Sequence, residues 1–178
     1  MKNIQLKDIS IISGIILLGA LSRLIPHPMN FTPIAAMALF GAAVLNDKRL
    51  AIIIPFAAMF ISDILLQLVN GTGFHDQMFL VYGCTIFSSL IGFQIREKLQ
   101  FKNILMATVG SAILFFVTTN FGVWMLGYYG YTMTGLINCF TMAIPFFRGT
   151  ITGDLFYSLV FFGSYSLIKN QIPVYLKK

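Results

Sequence analysis

The sequence predicts an all-α membrane protein, a bundle of six transmembrane helices forming a single domain over residues 1–178. Three observations predict this fold. Of the 178 residues, 57% are hydrophobic and only 10% are charged, whereas soluble domains carry about 25% charged residues. The mean hydropathy is +0.83. Apolar runs close to the length of a membrane span, roughly 20 residues, follow one another with short polar connections.

Six apolar runs are candidates for the spans, at 8–25, 31–45, 50–69, 78–95, 104–126 and 148–168. Residues 134–144 are too few to cross a bilayer, so we expect them to form a short extra segment at the membrane interface. Thr32 before Pro33 predicts an N-cap and a sharp start for the second run. Within that run, Ala38 and Ala42 are four residues apart and predict a small-residue face for close helix contact.

The basic residues predict the orientation of the chain. If the N-terminus is cytoplasmic, ten basic residues lie inside: Lys2, Lys7, Lys48, Arg49, Arg96, Lys98, Lys102, Lys169, Lys177 and Lys178. Only Arg23 and Arg148 then lie outside, a positive-inside bias that predicts both termini to be cytoplasmic. The net charge of +6 is spread between apolar runs rather than gathered in one patch. We therefore expect a lipid bilayer as partner and no nucleic acid.

With this orientation, four polar or reactive side chains fall at one depth on four different helices. Each lies six residues from the predicted outer end of its run, which is about 9 Å along a helix. They are Asp63, Cys84, Asn120 and Asp154. An ionised aspartate at the centre of a membrane helix costs about 2.5–3.5 kcal/mol unless it faces protein or water. We therefore expect these residues to surround an outward-facing pocket.

Each of these residues also has a purely structural interpretation. Asp63 could pair with Arg148, or Asp154 with Arg23, to fasten helices together. Asn120 could form a hydrogen bond between helices.

Cys84 leaves several interpretations open as well. It could pack as a small hydrophobic residue or form a disulfide with Cys139. A cysteine beside charged residues in a pocket could instead be a thiolate ligand for a soft metal centre.

Several sequence motifs resemble those of the BtuM-like cobalamin S-components, substrate-binding subunits of energy-coupling-factor transporters, and of a related family of small bacterial integral membrane proteins. The motifs are SRLIPHPMNFTPIAA at 22–36, AAM at 57–59 with SD at 62–63, VYGC at 81–84, TNFGVW at 119–124, IPFFR at 144–148 and GD at 153–154. The likeness covers residues 22–163. The first run departs from the family, since it lacks the Ala-x-x-x-Ala face through which S-components contact their transmembrane partner.

The resemblance implies an S-component-like bundle that binds cobalamin or a related corrinoid for uptake, either alone or with an energy-coupling module. It places the cobalt of the corrinoid on Cys84, and the protein would hold no intrinsic cofactor. The other implied substrate-binding residues are Asp63, Asn120, Arg23, His27, Tyr82, Arg148 and Asp154. Cobalt ligation would also allow a cyanide ligand to be displaced, which is a side activity and not enzymatic turnover.

Three other functions are compatible with the same residues. The protein could carry another vitamin or small metabolite, with Cys84 as a packing residue. It could be an intramembrane enzyme that uses Asp63 and Asp154 as an acid–base pair. It could also be a structural membrane subunit whose polar layer is satisfied internally.

Overall fold

The structure, a computed structural model, describes the backbone of residues 6–175 and the side-chain surroundings of residues 8–169. These residues form six helices and no strand, which confirms the predicted all-α bundle. The helices are α1 (Leu6–Ser22), α2 (Ile34–Val44), α3 (Lys48–Asn70), α4 (Met78–Ile95), α5 (Phe101–Met125) and α6 (Met133–Tyr175). The predicted cytoplasmic residues Lys2, Lys177 and Lys178 lie outside the described part of the chain, as does the side chain of Lys7.

Four helices are long and apolar enough to cross a bilayer, namely α3, α4, α5 and the Met133–Lys169 part of α6. The other two are shorter: α1 has 17 residues and α2 has 11. Large apolar side chains face outward on the long helices, and Phe79 is 91% exposed. An apolar surface this extensive is rare on soluble proteins, whereas lipid covers it at no penalty. The chain is a multi-pass membrane protein.

The short helix α2 is the centre of the bundle. Residues 34–43 are all buried, and α2 contacts each of the other five helices. A helix that is apolar on every side is stable only when neighbours surround it completely. At about 16 Å, α2 covers only half of a bilayer core of about 30 Å. Its neighbours bury it along residues 34–43, whereas Asn46, two residues after its end, is exposed.

A glycine allows α2 to pack closely on α4. A Cβ atom built on Gly92 would lie 2.6 Å from the carbonyl oxygen of Leu39 and 2.8 Å from the Cβ of Ala42. Ala42 belongs to the small-residue face predicted from the sequence, and this face does make a close helix contact. The backbones approach so closely that only glycine fits at this position of α4.

We expect Gly92→Ala to lower the free energy of unfolding by about 1–3 kcal/mol through overpacking. This loss outweighs the gain of about 1 kcal/mol in helix propensity. The control is Gly83→Ala on the same helix, where the added Cβ meets nothing within 4 Å and only the propensity gain remains. Denaturation of the detergent-solubilised protein measures both, and equal stability of the two variants would contradict the packing argument.

Arg96 caps the C-terminal end of α2 from the end of α4. Its guanidinium donates to the carbonyl oxygens of Ala42 at 2.9 and 3.2 Å, Leu45 at 2.6 Å and Asn46 at 3.1 Å. The last carbonyls of a helix have no partner within the helix, and the negative end of the helix dipole favours a cation. A single arginine therefore provides hydrogen-bond donors for a carbonyl group in the last turn of α2 and for two in the loop that follows it.

The helix α6 differs from the sequence prediction. Residues 134–144 are not a separate interfacial segment but the first part of one continuous 43-residue helix. This part packs against the end of α5, where the thiol of Cys139 donates to the carbonyl of Asn120 at 3.3 Å. Proline removes a backbone donor, yet α6 continues through Pro145. Membrane helices tolerate proline where neighbouring helices support the chain, as α5 does here.

Candidate functional site

A buried ion pair and a hydrogen bond join the end of α1 to α3 and α4. Arg23, directly after α1, places a guanidinium nitrogen 2.6 Å from Oδ1 of Asp63 in α3. Oδ2 of Asp63 accepts the hydroxyl of Tyr82 in α4 at 2.7 Å. Arg23 also donates to the hydroxyl of Ser62. Both carboxylate oxygens of Asp63 are therefore satisfied within the protein.

This pairing corrects both ion pairs considered from the sequence. Asp63 pairs with Arg23 and not with Arg148. Arg148 is exposed. Asp154 does not pair with Arg23, since the guanidinium is taken by Asp63. Depth along a helix is fixed by the residue count, but the choice of partner depends on the direction in which each side chain leaves the helix.

Next to the ion pair lies a cavity of about 300 Å³. Arg23 and Asp63 form part of its wall, and loop residues Asn30, His75 and Gln77 line it between the helices. Asn120 and Asp154 line it from α5 and α6. Three of the four residues predicted at one depth, Asp63, Asn120 and Asp154, thus meet at a single hollow.

Asp154 reaches from α6 to the N-terminal end of α2. The backbone N–H of Ala36 donates to its carboxylate, and the residue is 3% exposed. The predicted N-cap, Thr32, does not fill this role: α2 begins at Ile34, with Pro33 as its N-cap residue and no side-chain hydrogen bond from the cap. The first N–H groups of a helix have no partner within the helix, and the carboxyl group of Asp154 accepts one of them from another helix. Its second oxygen, Oδ2, is buried and has no hydrogen-bond partner.

Asn120 lines the cavity. Its side-chain amide donates to the carbonyl of Phe116 one turn earlier, at 2.7 Å. The hydrogen bond between helices at this position is made instead by its backbone carbonyl, which accepts the Cys139 thiol.

Cys84 lies behind the cavity wall. It is 1% exposed, contacts the Thr118 side chain of α5 and is not part of the lining. Val81, one turn earlier in α4, does line the cavity. Cys84 and Cys139 are both free thiols, so the disulfide considered from the sequence is not formed.

His27 and Arg148 lie apart from the cavity lining. His27 is exposed, and its Nδ1 lies 2.9 Å from the carbonyl oxygen of Pro28. Tyr82 acts on the cavity wall only through Asp63. Among the described residues, no three His, Cys, Asp or Glu side chains are grouped so that they could hold a metal ion.

Residues 3–175 match the model of a family of unknown function, DUF6580. The chain belongs to this family. No curated protein matches the chain, and neither does any solved structure.

Two glycines that hold the cavity wall in place were missed in the sequence. Gly149 and Gly153 are four residues apart on α6, and the loop before α2 packs directly on them. A Cβ on Gly149 would overlap the carbonyl oxygen of Met29, and one on Gly153 would lie 2.9 Å from the backbone nitrogen of Thr32. The Gly-x-x-x-Gly spacing was the available signal, since it is typical of close backbone approach in membranes.

Four phenylalanines form the apolar wall, and they were also missed. They are Phe115, Phe116, Phe146 and Phe147, from α5 and α6. The rings of Phe116 and Phe147 are 4.8 Å apart between centroids. In the sequence they look like lipid-facing residues, because apolar periodicity cannot distinguish lipid from an internal hollow. In this DUF6580 chain, polar groups and aromatic rings face one another across a space that can hold a small molecule.

Proposed function

We propose that this protein is a substrate-binding membrane protein that takes up a small molecule through its cavity. The observation that carries the proposal is a cavity of about 300 Å³ into which an unsatisfied buried carboxylate, an amide and four aromatic rings converge. Ligand sites typically occupy about 300–1,000 Å³ and combine apolar walls with a few polar groups. A vitamin or metabolite of modest size fits this space.

The proposed setting is the bacterial inner membrane, with the cavity at the outer face and both termini cytoplasmic. The charge pattern supports this orientation, and so do the exposed Tyr128 and Tyr131, since aromatic residues favour the membrane interface. The protein would act alone or with an energy-coupling module.

The two rival functions find less support in the geometry. An acid–base pair needs two free carboxylates, but Asp63 is occupied by Arg23 and Tyr82. A purely structural subunit would satisfy its polar layer internally, whereas Oδ2 of Asp154 has no partner.

The direct test of the proposal is to identify a small molecule that co-purifies with the protein, by mass spectrometry of a denatured sample, and to measure its rebinding. We expect Asn120→Ala to weaken rebinding about tenfold, because a lost buried hydrogen bond contributes roughly 1.5 kcal/mol. Asn103→Ala is the matched control, since Asn103 is on the same helix and bonds the carbonyl of Lys98, away from the cavity. If no molecule co-purifies and none from a vitamin panel binds, the proposal is wrong.

Cobalamin or a related corrinoid is the second candidate, and it depends on whether Cys84 can be reached from the cavity. Cys84 lies one helical turn from Val81 in the cavity lining. An intact corrinoid is much larger than the cavity, so it would have to sit across the opening and separate α4 from α5 to meet the thiol.

If a corrinoid binds through Cys84, we expect the protein to shift its visible spectrum, and Cys84→Ala to abolish the shift. Cys139→Ala is the control, since it removes the other buried thiol and leaves the shift intact. An unchanged spectrum and affinity with Cys84→Ala would show that cobalt is not bound by this residue.

A further inference from the structure

The carboxyl group of Asp154 has no cationic partner among the described residues. Among the charged residues of the lining, Arg23 and Asp63 neutralise each other at 2.6 Å, which leaves Asp154 alone. One of its oxygens receives the Ala36 N–H, while Oδ2 is buried without a partner. A ligand that supplies both a positive charge and a hydrogen-bond donor would stabilise the charged form of such a buried group.

The wall near this carboxylate is aromatic. Phe146 and Phe147 lie on α6 about two turns before Asp154, and Phe115 and Phe116 line the cavity from α5. The faces of aromatic rings carry partial negative charge and attract cations, more strongly where water is excluded. The aromatic rings and the carboxylate thus both favour a positively charged ligand.

We infer that the ligand of this cavity is a small organic cation, an amine whose N–H donates to the carboxylate of Asp154 while its carbon skeleton lies against the phenylalanine rings. The inference rests on the proposed function and names the substrate class of the same site. A cation that donates to the Asp154 carboxylate holds it in its charged form, which repels carboxylates and phosphates, so these are not the principal ligands.

The test uses three aromatic probes of nearly equal size: benzylamine, benzyl alcohol and benzoate. Their affinities for the full-length protein in detergent are measured by calorimetry, with empty micelles subtracted. We expect benzylamine to bind about tenfold or more tightly than benzyl alcohol, and benzoate to bind least. The order would be reversed for a site that selects anions.

Asp154→Asn keeps an oxygen that can accept the Ala36 N–H but removes the charge. We expect this variant to bind benzylamine and benzyl alcohol equally. Asp47→Asn is the matched control, because Asp47 is an exposed N-cap of α3 that asparagine also fills, and it should keep the wild-type preference. Phe147→Leu leaves the carboxylate in place and should reduce the preference for benzylamine several-fold, which also decides the question if Asp154→Asn does not fold.

Three results would overturn the inference: no benzylamine binding by the wild-type protein at millimolar concentration, equal binding of the amine and the alcohol, or a preference that survives both Asp154→Asn and Phe147→Leu. The proposed function is judged separately, by the molecule that co-purifies. If the co-purified molecule is neutral or anionic, the proposed function is retained and only the inference of a cationic ligand is wrong.

Discussion

Replacing Asp63 with alanine should lower the free energy of unfolding by about 3–5 kcal/mol, the loss expected when one member of a buried ion pair is removed. The side chains of Arg23 and Asp63 are only 10% and 4% exposed. Without Asp63, the guanidinium keeps its charge in a low-dielectric site and the hydroxyl of Tyr82 loses its acceptor. Titration of the solubilised protein with a denaturing detergent, followed by circular dichroism, measures the change.

Two variants separate this effect from a general loss of charge. Asp76→Ala removes an exposed aspartate near the same end of the bundle and should change stability by less than about 0.5 kcal/mol. The double variant Arg23→Met with Asp63→Leu removes both charges together and should recover much of the loss, because a buried pair is often replaceable by apolar residues. Wild-type stability for Asp63→Ala would show that the pair contributes nothing to the bundle.

Arg96→Ala should destabilise the protein by about 2–4 kcal/mol, because it leaves carbonyl groups at the end of α2 without donors and each buried one costs about 1–3 kcal/mol. The carbonyls of Ala42 and Leu45 lie on residues that are 0% and 1% exposed. The same detergent titration measures the loss.

Arg96→Lys should recover only part of the stability, since an ammonium group cannot match the planar fork of a guanidinium. Lys98 is an exposed neighbour. Lys98→Ala is therefore the control and should leave the stability nearly unchanged. If Arg96→Ala and Lys98→Ala behaved alike, the cap on α2 would have no energetic role.

Much of the fold follows from hydropathy alone. The predicted run 78–95 coincides with α4, and the predicted run 50–69 differs from α3 by two residues at one end and one at the other. Hydropathy works here because a bilayer demands long apolar stretches with internally bonded backbones. It fails for α2 and α6, where protein neighbours rather than lipid determine the length of the helix.

The sequence predicted the depth of the site residues in the membrane but not the direction in which their side chains point. Counting along rigid helices placed Asp63, Asn120 and Asp154 at one level, and the structure brings them to one cavity. The same count placed Cys84 there, yet its side chain points to Thr118 on α5. Depth depends only on rise per residue, whereas facing depends on how each helix is rotated in the packed bundle. That rotation cannot be obtained from a single span.

The carboxylate that completes α2 has a consequence for biosynthesis. Asp154 comes from α6, the last helix of the six to leave the ribosome, while α2 is the second. The second helix, α2, is too short to insert as an independent span. Its Ala36 N–H has no acceptor from Asp154 until α6 has been synthesised. The cavity therefore lacks this carboxyl group and the wall that α6 supplies until the sixth helix has been synthesised.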